Sequence, residues 1–439
     1  MHSFPTIAHT WKAPQQKFLD HNWQDKNAIT RIDQLEAKLA GWVRPNVIKN
    51  IQEGLTKVGM SIRLTPYVMD LIDWDNAEAD PIRRQFLPML SELEADHPCL
   101  TVDSLEERAT SPAPNLVHRY PDKVLFLVTA MCPVYCQYCT RSYAVGQDTS
   151  ILKKDSVAAS GWIEALDYIR ANPTVEDVVV SGGDIARLKA KNIALLGNAL
   201  IDIEHVKRIR LATKAISVQP MKFLSDDEWF KAITDVAARA RERFKSVFLH
   251  THFNHPREVT PLVEAAMRRV FSEGIYVRNQ SVLLRGVNDN SCTLVQLVKD
   301  LGRVNIQSYY VYACDMVVGC EHFRVPVQEM QHLEREVRGV TAGFNTPLFV
   351  VDAPGGGGKR DVHSYEYRDD KYGIIGFRAP AVNPNRMYFY FDPLRSLGEV
   401  AQTEWRMGGR DAILARLPHF GDRGRSLGQR GAMSAHESN

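Results

Sequence analysis

The spacing of apolar residues divides the chain into a helical front part and a central part in which strands and helices alternate. Between residues 16 and about 60, apolar residues recur every three or four positions, which predicts amphipathic helices. From residue 123 onward, short apolar runs rich in β-branched residues alternate with amphipathic stretches such as 155–172 and 226–243. This alternation is typical of a parallel sheet covered by helices.

Six apolar runs follow one another between about 123 and 340, and a seventh extended run precedes a glycine-rich segment. The six are KVLFLVTA, DVVVSGG, RIRLATKA, SVFLHTHF, YVRNQSVLL and QSYYVYACD, and the seventh is PLFVVDA. We therefore expect an α/β fold, namely a partial (β/α)6 TIM-like barrel with a helical N-terminal region and a small C-terminal α+β extension. The expected boundaries are 1–115 for the helical region, 116–360 for the barrel, 361–422 for the extension and 423–439 for a disordered tail.

Composition and charge exclude several classes of function. The 439 residues carry 54 basic and 52 acidic side chains, so a formal charge of +2 offers no general attraction for nucleic acid or membranes. No apolar run reaches membrane-spanning length, and the start lacks a signal-peptide pattern. The cysteines cluster, which favours a metal or redox site in a reducing compartment over disulfides. We expect a cytoplasmic enzyme that binds neither nucleic acid nor membrane.

Three cysteines, Cys132, Cys136 and Cys139, stand in a C-x3-C-x2-C pattern directly after the first apolar run. A zinc loop would need a distant fourth ligand, for which Cys314, Cys320 or a histidine could serve. Thiolates also hold iron–sulfur clusters, and three of them on one loop leave one iron of a four-iron cluster open for a small molecule. The spacing resembles that of the radical S-adenosylmethionine (SAM) enzymes, in which SAM occupies the open iron.

A second candidate segment, SGGD, comprises Ser181, Gly182, Gly183 and Asp184 at the end of the second apolar run. Taken alone, it reads as an ordinary strand-to-helix turn, where glycine is common for backbone reasons. Beside the cysteine loop, it is similar to the Gly-Gly-acid segment with which radical SAM enzymes meet the methionine ammonium of SAM.

Lys359 follows four glycines in DAPGGGGKR. This is not a phosphate-binding P-loop, because Ala353 and Arg360 stand where that motif needs Gly and Ser or Thr. The segment could be a flexible loop with a solvated lysine, or the glycines could let the backbone pack around an aldehyde cofactor that the lysine amine takes up. Pyridoxal phosphate (PLP) is the usual such cofactor. Arg119 and Lys123 in HRYPDK, just before the first apolar run, are candidates for its phosphate, with a surface basic pair as the alternative.

Together these stretches resemble the lysine 2,3-aminomutase family, which uses both SAM and PLP. The resemblance covers roughly residues 60 to 360, through TPYVMDLID, DPIRRQFLP, HRYPDKVLFLVTAMCPVYCQYCTR, VVVSGGD, THFNHP, RNQSVLLRGVND, YYVYACD and VVDAPGGGGK. It implies an isomerase that moves the α-amino group of a basic L-amino acid to C3. The first expectation is that this enzyme converts L-lysine to β-lysine. L-Arginine giving β-arginine is the alternative, and a radical SAM enzyme without PLP is a more distant one.

The resemblance also implies a role for each matching residue. On this resemblance, the [4Fe–4S] cluster is held by Cys132, Cys136 and Cys139, and SAM is bound by Ser181, Gly182, Gly183, Asp184, His252 and Gln280. PLP is linked covalently to Lys359, its phosphate is bound by Arg119, and Tyr312 lies beside the cofactors. The substrate carboxylate is bound by Arg141, and the substrate side chain is bound by Asp315 and Asp352. The two aspartates favour a cationic side chain, because neighbouring carboxylates are costly unless a cation joins them.

The chain departs from the family's lysine enzymes in two places. Ser142 and Tyr143 replace two arginines that often follow Arg141 there. No cysteine follows Cys320, so we do not predict the structural zinc that joins subunits in the well-known lysine enzymes. As partners we expect a small-molecule amino acid substrate, an electron donor such as flavodoxin or ferredoxin, and further copies of the chain in a homo-oligomer.

Overall fold

The computed structural model describes residues 14–415 and residue 417, so the predicted tail at 423–439 lies outside the described residues. Six helices come first: α1 (Gln15–Phe18), α2 (His21–Lys26), α3 (Ile32–Leu39), α4 (Pro45–Leu55), α5 (Pro66–Leu71) and α6 (Pro81–Phe86). The helices α5 and α6 each begin with a capping side chain, Thr65 and Asp80, followed by a proline whose missing N–H is not needed there. These helices share a core that extends to Val134 between the cysteines.

The central sheet has nine strands in chain order. They are β1 (Leu116–Tyr120), β2 (Lys123–Thr129), β3 (Asp177–Gly182), β4 (Arg208–Ala212), β5 (Ser246–Thr251), β6 (Tyr276–Leu283), β7 (Ile306–Ala313), β8 (Leu348–Ala353) and β9 (Gly358–Asp361). All strands from β2 to β8 run parallel, while β1 and β9 pair antiparallel at the two edges. The predicted α/β fold is confirmed, and the seventh apolar run joins the parallel sheet as β8.

Helices cover one face of this sheet. They are α7 (Trp162–Ala171), α8 (Ala190–Ile201), α9 (Ala215–Val218), α10 (Met221–Ser225), α11 (Asp227–Glu242), α12 (Pro261–Ser272), α13 (Ser291–Arg303) and α14 (Val327–Val337). Alternate residues of each strand, such as Val178 and Val180 of β3 and Leu211 of β4, pack into the core beneath them. The intervening residues, including Asp177 and Arg210, point to the other face and form an ion pair at 2.7 Å. The concave interior of the sheet is therefore polar.

The edge strands come close enough to make the sheet nearly a closed barrel. The backbone N–H of Lys359 in β9 donates to the Tyr120 hydroxyl of β1 at 2.8 Å. Arg119 of β1 pairs with Asp352 of β8 at 3.1 Å. The segment HRYPDK, expected before the first strand, thus ends β1 and turns into β2. The strand β1 was not predicted, because its five residues are mixed in polarity.

The C-terminal part forms a second, antiparallel sheet of β10 (Tyr367–Asp369), β11 (Ile374–Ala379) and β12 (Asn383–Phe391), followed by α15 (Glu399–Leu414). It does not stand apart, since Phe377 and Trp405 share one core with Phe349 and Val351 of β8. The C-terminal sheet therefore packs against the strand that leads into the glycine loop. None of the helices within residues 14–415 is both long and apolar enough to cross a bilayer.

Candidate active site

The cysteine loop leaves the carboxyl end of β2 and is fastened to the N-terminal helical region. The backbone N–H of Gln137 donates to the Gln85 carbonyl at 2.9 Å, and that of Tyr135 donates to the Arg63 carbonyl at 3.1 Å. A loop held through its own backbone leaves its side chains free to act as ligands. The helical region thus fixes the position of the three thiols.

The donor chemistry of the loop fits an iron–sulfur cluster better than zinc. Burial raises the pKa of the Cys132, Cys136 and Cys139 thiols, and the charge of Cys139 adds to this at Cys132 and Cys136. Three such thiolates are stable together only with positive metal between them. No group of three or more potential ligands in the described part of the chain is arranged for a single metal ion. Three cysteine thiolates on one loop match a four-iron cluster with one open iron, as the sequence analysis expects.

The SGGD segment packs directly against the start of the cysteine loop. The Gly183 N–H donates to the Thr129 carbonyl at 2.6 Å, and the Asp184 N–H donates to the Met131 carbonyl at 2.9 Å. A Cβ atom on Gly183 would lie 2.5 Å from the Met131 carbonyl oxygen, so only glycine allows this approach. The Asp184 carboxylate accepts the N–H groups of Ala186 at 2.8 Å and Lys214 at 2.7 Å, so the backbone fixes its position beside Cys132.

His252 and Gln280 lie in one hydrogen-bond network that joins the cysteine loop to the barrel interior. The His252 Nε2 atom lies 2.8 Å from the hydroxyl of Tyr138 in the cysteine loop, and its Nδ1 lies 2.5 Å from the Gln280 carbonyl oxygen. Burial lowers the pKa of His252, so its ring is neutral. The Gln280 side chain in turn accepts the Tyr312 hydroxyl at 3.5 Å. The structure thus connects three of the sequence-predicted residues, His252, Gln280 and Tyr312.

Lys359 projects into the barrel beside two aromatic rings and one carboxylate. Its Nζ lies 3.4 Å from Oδ2 of Asp352, and 5.6 Å and 5.7 Å from the ring centres of Tyr120 and Tyr312. The preceding Gly358 has φ of +77°, and a Cβ there would lie 2.5 Å from the Tyr120 hydroxyl. Glycine at this position therefore allows β9 to approach β1 and delivers the lysine amine into the site.

Asp315 and Asp352, which the resemblance assigns to the substrate side chain, lie close enough for the charge of Asp352 to act on Asp315. Burial, followed by the charge of Asp352, raises the pKa of Asp315 to about 7, although the Thr140 hydroxyl donates to its carboxylate. Burial acts on Asp352 in the same direction, but the charges of Arg119 and Lys359 outweigh it and hold its pKa below the ordinary value. The pair therefore carries between one and two negative charges near neutral pH, because Asp352 is ionised there while Asp315 is partly protonated.

Arg141 is held by a carboxylate that the sequence did not identify. Its Nη2 donates to Glu107 at 2.9 Å, and the Tyr143 hydroxyl donates to the other oxygen of Glu107 at 2.7 Å. The Nε atom of Arg141 is buried without a hydrogen-bond partner among the described residues. The guanidinium is thus oriented on one side and has donors left for a carboxylate ligand.

Arg119, which the resemblance assigns to the PLP phosphate, forms an ion pair with Asp352. Its Nη2 lies 3.1 Å from the Asp352 carboxylate, and its Nη1 is buried without a partner in the part of the chain that the structure describes. The sequence analysis assigned no role to Glu107, Thr140 or Tyr120. Thr140 and Tyr120 are sequence neighbours of the predicted residues Arg141 and Arg119, so a role for them could have been predicted from that position. Nothing in the sequence around Glu107 indicates a role for it.

Comparisons with known proteins decide the family. No family model matches the chain. The L-lysine 2,3-aminomutase of Clostridium subterminale is 38% identical over 345 residues, which cover 78% of this chain and 77% of the relative. The chain belongs to the lysine 2,3-aminomutase family. It is therefore an aminomutase, which is an isomerase, and the family implies the [4Fe–4S] cluster, SAM and PLP that the motifs predict.

Family membership does not by itself choose the substrate of this aminomutase. The L-lysine 2,3-aminomutase of Bacillus subtilis is 36% identical, over 80% of this chain and 70% of its own. The glutamate 2,3-aminomutase of Clostridioides difficile is 31% identical, over 79% and 76%. Among solved structures, a radical SAM methyltransferase from Sphaerobacter thermophilus aligns over 54% of this chain and 68% of its own, at 19% identity and a TM-score of 0.36, which is too distant to carry an argument.

Proposed function

We propose that this aminomutase is a PLP-dependent radical SAM enzyme that moves the α-amino group of a basic L-amino acid to C3, converting L-lysine to β-lysine. The observation that carries the proposal is the pair Asp315 and Asp352 beside Lys359. A glutamate side chain would bring a third carboxylate to this pair, which is strongly unfavourable below the protein surface. A cationic side chain is stabilised by the same pair.

The residues of the chain hold the substrate at both ends. Arg141, oriented by Glu107, presents its planar fork to the α-carboxylate, and Asp315 with Asp352 takes the side-chain cation. When bound, the reduced cluster with SAM supplies a carbon-centred radical, and PLP spreads the unpaired electron during the shift. Because such a radical attacks any C–H bond within reach, fixing both ends of the substrate restricts the reaction to C3.

The remaining predicted residues serve the cofactors. Lys359 would supply the amine that holds the PLP aldehyde. The SGGD segment, His252 and Gln280 line the path between the cysteine loop and the barrel, and in this proposal they hold SAM. The electron comes from a small donor such as flavodoxin or ferredoxin, and the enzyme acts as a homo-oligomer.

L-Arginine is the second candidate substrate. The specific observation in its favour is that Asp352 accepts a guanidinium in this structure, that of Arg119 at 3.1 Å. Two carboxylates match the planar fork of a guanidinium at least as well as an ammonium. Tyr143, in place of a family arginine, also makes the surroundings of Arg141 unlike those of the common lysine enzymes.

A substrate panel tests the proposal. The protein is reconstituted without oxygen with iron, sulfide and PLP, reduced with dithionite, supplied with SAM, and offered lysine, arginine and glutamate separately. Derivatised chromatography with mass detection then measures each β-isomer. β-Lysine as the main product supports the proposal, β-arginine supports the second candidate, and β-glutamate contradicts the role of the aspartate pair.

A further inference from the structure

The segment that follows the cysteine loop, residues 146–155, folds back toward it and has no part in the function described above. We call this segment the strap. At its end, the backbone N–H of Asp155 donates to the Tyr143 carbonyl at 2.7 Å. Near its start, the N–H of Gln147 donates to the Ser61 hydroxyl at 3.1 Å. The strap therefore joins the cysteine loop to the N-terminal helical region.

The half-buried side chain of Lys154, in the strap, bridges the helical region and the cysteine loop. Its Nζ donates to the Gly59 carbonyl at 2.5 Å and also to the Ser142 carbonyl. The N–H of Ser142 donates in turn to the Cys139 carbonyl at 3.0 Å, so the amine is attached to the turn that carries the last cluster cysteine. Burial lowers the pKa of Lys154 to about 8 while the charge of Cys139 opposes this, so the amine is mostly protonated at neutral pH.

A cation from outside the cysteine loop acts on each of the three cluster thiols. Burial raises the pKa of every one of these thiols, and the cation opposes this increase by favouring the thiolate. The cations and the thiols on which they act are Arg63 at Cys132, Lys214 at Cys136 and Lys154 at Cys139. Two of the cations already have acidic partners. The Lys214 amine lies 3.1 Å from Glu258. The Arg63 guanidinium lies 3.6 Å from Asp25.

The charge of Lys154 has no such partner, since no described carboxylate lies within ion-pair distance of its amine. Asp148 accepts the backbone N–H of Lys154 at 2.8 Å and acts on the amine less than Cys139 does. Arg141, which also acts on Cys139, is paired with Glu107 at 2.9 Å. Lys154 is therefore a cation near the cysteines whose charge is left for the cluster.

An iron–sulfur cluster that accepts one electron gains one negative charge, and its reduction potential depends on the charges around it. A positive charge that is partly shielded from water stabilises the reduced state by direct attraction. We propose that the charge of Lys154, held against the turn of Cys139 by two carbonyl groups, raises the reduction potential of the [4Fe–4S] cluster. In this step a one-electron donor is oxidised and the cluster is reduced, with no bond formed or broken. The inference concerns the cluster alone and does not depend on PLP or on the choice of substrate.

The test is a redox titration of the cluster-loaded protein without PLP, SAM or amino acid. Dithionite and mediator dyes set the solution potential, and electron paramagnetic resonance measures the reduced cluster. Lys154→Gln keeps a side-chain donor but removes the charge. At a fixed potential we expect it to lower the ratio of reduced to oxidised cluster about tenfold, which is a shift of about 59 mV to more negative potential for one electron. Lys154→Met, a second neutral variant, should shift in the same direction.

Two further variants separate the charge of Lys154 from its place in the strap. Lys154→Arg keeps the positive charge, and we expect it to retain a potential close to that of the wild type. Lys153→Gln removes the exposed charge of the adjacent residue in the strap and is the matched control. It should leave the potential unchanged, because water screens an exposed charge.

An unchanged potential in both neutral variants overturns the inference. So does an equal shift in Lys153→Gln, because any nearby charge would then suffice, or an equal shift in Lys154→Arg, because the fit of the side chain would then matter instead of its charge. If neither neutral variant holds iron and sulfide, the amine serves only to hold the loop, and the inference is also wrong. Since PLP and the amino acid are absent from the titration, its outcome is independent of the substrate panel that tests the proposed function.

Discussion

The Nζ atom of Lys359 lies 3.4 Å from Oδ2 of Asp352, whose carboxylate also lies 3.1 Å from Nη2 of Arg119. Asp352 therefore balances two cations at once. When the amine of Lys359 joins an aldehyde, Asp352 has a weaker cationic partner on that side and can accept the cation of a substrate. In the proposed function, cofactor uptake by Lys359 and recognition of a basic substrate are therefore coupled through one carboxylate.

The first prediction concerns this carboxylate. Asp352→Asn keeps the shape of the side chain but removes its charge, so we expect the KM for the basic amino acid to rise by about 10- to 100-fold, as for the loss of a charged hydrogen bond. Steady-state assays of β-isomer formation measure the change. Asp167→Asn, at an exposed position on α7, is the control and should leave KM unchanged. An unaltered KM in Asp352→Asn would contradict the clamp.

The second prediction is a pH dependence. Burial and the charge of Asp352 raise the pKa of Asp315 to about 7. Below pH 7 Asp315 is neutral and one carboxylate faces the substrate, whereas above pH 7 both are charged. We therefore expect kcat/KM for a cationic substrate to rise as pH increases through about 7, since this ratio reports groups of the free enzyme.

The Thr140 hydroxyl provides a check on that assignment. It donates to Asp315 and so favours the charged carboxylate. Thr140→Val should move the rise in kcat/KM to higher pH, while Thr140→Ser, which retains the hydroxyl, should leave it in place. A profile that is flat between pH 6 and 8 in all three proteins would show that Asp315 does not titrate there.

The parts of the site that lie in continuous segments could be predicted from the sequence. The cysteine loop and the glycine loop before Lys359 are such segments, and both follow apolar runs that became β2 and β8. The strands were predictable because their outward residues are apolar and β-branched. The aspartates Asp315 and Asp352 could be paired only through the family resemblance, since they end different strands.

Residues that act through tertiary contacts gave no such signal. Glu107 lies in the acidic stretch DSLEER, where a solvated surface is the ordinary expectation, yet its side chain is buried against Arg141 and Tyr143. The edge strand β1 is short and mixed in polarity, and only its antiparallel pairing with β2 places Arg119 and Tyr120 inside the site.

The third prediction tests Glu107 as a positioning residue for Arg141. Glu107→Gln removes the charge that orients the guanidinium, and we expect the KM for the amino acid to rise by about tenfold with a smaller change in kcat. Tyr143→Phe keeps the Arg141 contact at 2.9 Å and should change KM by less than about threefold. Equal effects of the two variants on KM and on thermal stability would instead indicate a purely structural role.

The fourth prediction concerns the closure of the barrel at Gly358. This residue has φ of +77°, and a Cβ would lie 2.5 Å from the Tyr120 hydroxyl. Gly358→Ala should therefore destabilise the fold by about 1–3 kcal/mol, measured by denaturant unfolding, and weaken adduct formation at Lys359. Gly398→Ala is the matched control, because a Cβ there meets nothing within 4 Å. Equal stability of the two variants would contradict the close approach of β1 and β9.

The central claim is that one site combines the cysteine cluster with PLP held by Lys359. It is tested most directly by measuring the β-isomer and 5′-deoxyadenosine together in the reconstituted wild type and in Lys359→Ala, with SAM or PLP omitted in turn. We predict that the β-isomer forms only in the wild type with both cofactors, and that Lys359→Ala retains weak SAM cleavage to 5′-deoxyadenosine. β-Isomer formation at the wild-type rate without PLP, or in Lys359→Ala, would contradict the account.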